Sequence, residues 1–92
     1  MKKYLVSIYD AGDKQTYDLS MTEDDMLAIF NMKTLKKNKV ELPSIGGNAV
    51  LNGNDVMIVY SSDLARTNQG TIGVSFYDLL ECLEDAHPRL FS

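Results

Sequence analysis

The sequence predicts an α+β fold: two helices packed on a mostly antiparallel sheet of about four or five strands, in the order β-β-α-β-β-β-α. Three observations predict it. Apolar residues alternate along Lys3–Tyr9, as in a half-buried strand. Val56–Tyr60 is a continuous apolar run rich in β-branched residues, as in a central strand. Phe76, Leu79, Leu80 and Leu83 recur at helical spacing. The chain has 92 residues, 45% of them apolar, which fits one domain over residues 1–92.

Each element has a local cause. In the first strand Tyr4, Val6 and Ile8 share one face, and Leu5, Ser7 and Tyr9 the other. Asp10-Ala11-Gly12-Asp13-Lys14 is a polar turn, and Gln15–Leu19 alternates again through Tyr17 and Leu19. These segments predict an N-terminal hairpin. Thr22 is a good N-cap, followed by Glu23, Asp24 and Asp25, where the helix dipole favours acids. Met21 and Met26 stand at the two positions of a hydrophobic staple. The first helix then carries Met26, Leu27, Ile29 and Phe30 to an end near Lys33.

Val40–Leu42 reads as a short strand stopped by Pro43, Gly46-Gly47-Asn48 as a tight turn, and Ala49–Leu51 as the returning strand. Asn52-Gly53-Asn54-Asp55 is a second turn leading into Val56–Tyr60. Ser61–Thr71 is polar and aperiodic, the pattern of an exposed loop, with Arg66 as its candidate contact residue. Gly73 and Ser75 introduce the last helix, which His87-Pro88 ends.

Composition narrows the function classes. No apolar run approaches the roughly 20 residues that span a bilayer, so no membrane partner is expected. The N-terminus is too short and interrupted for a signal peptide, and one Cys permits no internal disulfide, so a reducing, cytoplasmic setting is expected. Cys82 and His87 are five apart, which sets them about 140° from each other on a helix, a poor dyad. One His and one Cys make a poor metal set, and the acidic stretches lack the spacing of a calcium loop. Gly70-Thr71-Ile72-Gly73 leads towards a helix and offers only a weak anion-binding pattern. No enzyme, metal or cofactor is therefore expected.

Charge is uneven. The total is −4, but residues 33–39 hold Lys33, Lys36, Lys37 and Lys39 and no acid. This basic stretch is the candidate for a nucleic-acid-associated regulator. It lacks Arg and interleaved aromatics, and its place past a helix C-terminus also suits the dipole. On the last helix Asp78, Glu81 and Asp85 share the face opposite the leucines, with Glu84 at its flank. No Lys or Arg lies between residues 67 and 88 to pair with them. Acids in a last helical turn oppose the dipole, and a locally unfavourable choice points towards function. Ala28 and Met32 fall outside the first helix's apolar stripe and are a further candidate contact.

The run Val40-Glu41-Leu42-Pro43, a Gly turn, Ala49-Val50-Leu51-Asn52-Gly53 and Val56–Tyr60 resembles small β-rich domains of bacterial and phage proteins. In size and acidity the chain is similar to phage and mobile-element accessory proteins that bind and modulate host machinery. The resemblance carries no functional residue. The expectation is a non-catalytic module that binds, and inhibits, another protein through an acidic surface. Sheet edges that invite pairing tilt the expected oligomeric state towards a homodimer.

Overall fold

Two antiparallel sheets and two helices share one apolar core in the computed structural model, which describes residues 2–61 and 70–92. β1 (Lys3–Asp10) and β2 (Gln15–Thr22) form a two-stranded sheet. α1 (Glu23–Phe30) follows. β3 (Lys39–Leu42), β4 (Gly47–Asn52), β5 (Asp55–Tyr60) and β6 (Gly70–Ser75) form a four-stranded meander, and α2 (Phe76–Ala86) closes the order. Short 3-10 turns occupy Pro43–Ile45 and Pro88–Phe91.

The alternation in β1 works as expected. Val6 and Ile8 are buried and Leu5 and Tyr9 exposed. Their partners Leu19 and Tyr17 lie across the pair, so Val6, Ile8, Leu19 and Met21 offer one apolar face. α2 packs on β1, and its Leu79 and Leu83 are fully buried. The four-stranded sheet turns Ala49, Ile58 and Ile72, neighbours in register, into the same core. Each large side chain so buried contributes about 1.5–3 kcal/mol before entropy is counted.

Both helix starts are capped. The Thr22 hydroxyl accepts from the Asp25 N–H at 3.3 Å, and the Ser75 hydroxyl from the Asp78 N–H at 3.2 Å. The staple residues Met21 and Met26 are both buried.

Three details differ from the sequence reading. Gly70–Ser75 is a strand, not loop and helix lead-in, and adds β6 to the expected order. Ile72 and Val74 alternate towards the core, but glycines on either side weaken the pattern. The Tyr60 ring fills the space above Gly70, its partner across β5–β6, where a Cβ would lie 2.3 Å from the ring. Second, α1 stops at Phe30 with Asn31 as C-cap, and the chain then bends through successive turns. That bend swings Met32 inward, so it is fully buried and not a surface contact.

Third, Gly47 and Asn48 begin β4, and the connection before them is the 3-10 turn closed by Gly46 at φ +64°. Gly47 is required by contact: a Cβ there would lie 1.7 Å from the Val59 carbonyl oxygen. Asp25 stands in the first helical turn as expected and is also buried. Its carboxylate accepts from the Ser44 N–H at 2.8 Å and from the Ser44 hydroxyl, tying α1 to the β3–β4 connection.

Candidate partner-binding site

The outer face of the meander carries the candidate site. Lys39, Val50, Met57 and Gly73 lie in one row across β3, β4, β5 and β6. Val50 and Met57 point away from the core, with Met57 53% exposed. One residue pair further along, Asn52, Asp55 and Ser75 form a parallel polar row. Because side chains alternate with period two, both rows share a face. Gly73 adds no side chain, and a Cβ built on it would meet nothing within 4 Å.

The β1–β2 hairpin supplies the flank. Tyr9, Ala11 and Gly12 at its tip, with the outer-face residues, line a groove of about 820 Å³. Asp10 fixes the tip in place. Its carboxylate accepts from the Gly73 N–H at 3.0 Å and from the Gly12 N–H at 2.8 Å. These two backbone donors, Gly73 foremost, hold the Asp10 carboxyl below the usual carboxylate range, so it is ionised at neutral pH.

Asp78, in the first turn of α2, lines the polar end of the groove with Asp55. It is one of the four acids expected on this helix; the others, Glu81, Glu84 and Asp85, are exposed but outside the groove lining. Among the described residues none of these four, nor Asp55, forms an ion pair. Their field still acts locally. Burial, then Asp85, Asp78 and Glu81, push the Cys82 thiol up, so it stays protonated and weakly nucleophilic at neutral pH.

The basic stretch is split. The Lys33 ammonium donates to the Asn54 side chain at 2.8 Å and to the Tyr77 hydroxyl at 3.3 Å. It also lies 5.0 and 4.7 Å from the Phe76 and Tyr77 ring centres. Lys33 therefore joins the end of α1 to the β4–β5 turn and the start of α2. Lys36, Lys37 and Lys39 are exposed, with Lys39 on the groove row at the far edge strand. Arg66 and the rest of residues 62–69 lie outside the described residues. The weak anion-binding pattern at Gly70–Gly73 is spent in β6, where the Gly73 N–H already meets Asp10.

His87 has a role that its spacing from Cys82 does not reveal. Its ring stacks on Tyr4 with centroids 3.9 Å apart, and its Nε2 lies 2.6 Å from a Glu23 oxygen. It clasps the C-terminus of α2 to β1 and the start of α1. Among the described residues no three His, Cys, Asp or Glu side chains converge to hold a metal ion. No helix among them is long and apolar enough to cross a membrane.

The groove itself is illegible from sequence spacing, since its residues come from β1, β4, β5, β6 and α2 and meet only through strand register. The available signal is small: apolar residues on the outward positions of two strands, Val50 and Met57. Compared with family models, curated proteins and solved structures, the chain has no match.

Proposed function

We propose that this protein is a non-catalytic protein-binding module. Its partner contacts the acidic surface of α2 and the groove that adjoins it. The observation that carries this reading is Asp78, which joins the helix acids to an open apolar groove without an ion pair among the described residues. An exposed apolar surface rimmed by charge is typical of interaction sites. The size and acidic composition support a role like that of phage or mobile-element accessory proteins, with inhibition of a host protein as the outcome of binding. A nucleic-acid reading is weaker, because Lys33 is engaged within the fold and leaves only Lys36, Lys37 and Lys39.

The test is capture of cross-linked partners from a lysate of the native host. Wild type is compared with a variant carrying Asp78→Asn, Glu81→Gln, Glu84→Gln and Asp85→Asn. The expected result is a partner whose recovery falls about tenfold in the variant and in high salt. Equal recovery by both proteins removes the acidic surface from the function.

A further inference from the structure

We propose that the groove beside Met57 receives an extended segment of the partner protein, which inserts an apolar side chain and sets a Lys or Arg against Asp55 and Asp78. The proposal rests on the protein-binding reading and specifies its ligand.

Shape supports it first. About 820 Å³ is enough for several side chains, and the groove opens along the sheet face. The lining chemistry is divided. Tyr9, Val50 and Met57 are exposed apolar residues on one side, and Met adapts its shape to different apolar ligands. Asp55 and Asp78 stand at the other end. Lys33 is drawn to their neighbours Asn54 and Tyr77 and pairs with neither acid. The complement of this surface is an apolar side chain beside a cation.

The edge of β6 favours side-chain recognition over strand addition. A segment adding itself to a sheet needs free main-chain donors. At the middle of β6 the Gly73 N–H is already bound to Asp10, which blocks pairing there. The floor beside it is bare, because Gly73 has no side chain and open space above it. The segment therefore lies across the face and is read by what it inserts.

The experiment follows the amide NMR spectrum of the full chain during titration with synthetic six-residue peptide pools. In one set a varied apolar residue is followed by Lys or Arg; in the control set Glu replaces the cation. The basic pools are expected to shift the amides of Gly12, Val50, Met57 and Asp78, and the control pools are not. Gly73→Leu fills the floor at a site with room for it, so its spectrum should remain folded while affinity falls at least tenfold. Asp55→Asn with Asp78→Asn should weaken binding and flatten its salt dependence.

No shift with any basic pool overturns the proposal. So does a response confined to Glu81, Glu84 and Asp85, which leaves the acidic-surface reading standing without the groove. Unchanged affinity in Gly73→Leu also overturns it. A concentration-dependent dimer in sedimentation that Gly73→Leu abolishes replaces the peptide with a second copy of this chain.

Discussion

The Asp10 carboxylate accepts a hydrogen bond from the Gly73 backbone N–H, 63 residues away in sequence, at 3.0 Å. Through it the tip of a two-stranded hairpin is held to the edge of a separate four-stranded sheet. The contact adds a polar anchor at the groove's flank to the core packing that seats the hairpin.

That contact sets a pH dependence. The folded chain lowers the Asp10 pKa, so the carboxylate contributes stability above its ordinary range and loses it as pH falls through and below that range. Asp10→Asn removes the charge. In urea denaturation the wild type should unfold at higher denaturant than D10N near neutral pH. The advantage should shrink at about pH 3. An equal advantage at both pH values would contradict an ionic latch.

Tyr17 responds at the opposite end of the scale. Its hydroxyl donates to Asp13, and this bond foremost pushes its pKa up to about 12. The neutral phenol is favoured by folding, so its contribution is present below the ordinary tyrosine range and is lost as pH rises towards that value. In an ultraviolet tyrosinate titration, the Tyr17 phenol should ionise above the ordinary tyrosine range. Asp13→Asn should move that ionisation back towards the ordinary tyrosine range.

Gly47→Ala tests the close approach of β4 to Val59. The added methyl meets main chain, which cannot yield as a flexible side chain does. A loss of about 2–3 kcal/mol is expected. Thermal unfolding should show it as a fall of roughly 10 °C or more. Gly73→Ala, with open space around it, should unfold within a few degrees of wild type.

Cys82 should react slowly. Burial and the neighbouring acids hold the thiol protonated, and the thiolate is the reactive form. Alkylation near neutral pH should be slower in the folded chain than in urea. Asp78→Asn with Glu81→Gln and Asp85→Asn should raise the folded rate. A folded rate equal to the unfolded one would show that neither burial nor charge protects it.

The elements with a single strong period were legible in the sequence. Of the α2 stripe, Phe76, Leu79 and Leu83 are buried and Leu80 half-buried; Thr22 caps α1 as expected, and Ser75, expected to introduce α2, proves to be its cap. Where neighbours decide, the sequence was silent. Met32 turns inward because the helix ends two residues earlier, which no helical wheel represents. β6 hides behind its glycines because the Tyr60 ring, on another strand, occupies the space above Gly70. Asp25 was legible as a helix-start acid, but its partner Ser44, 19 residues on, was not. Of the candidate acids, Asp78 was legible as charge, but its place in a groove depends on the register that brings Asn52, Asp55 and Ser75 into line.

The vacant space over Gly73 bears on how such a surface evolves. Most changes at a recognition site risk the scaffold, because the same atoms that meet a ligand also hold the core. At position 73 the two demands separate: the main chain carries the latch to Asp10, and the missing side chain bounds only the depth of the groove. A methyl group added there meets nothing within 4 Å, yet makes the groove shallower. On the proposed reading, changes at this residue alter what the groove accepts almost independently of folding.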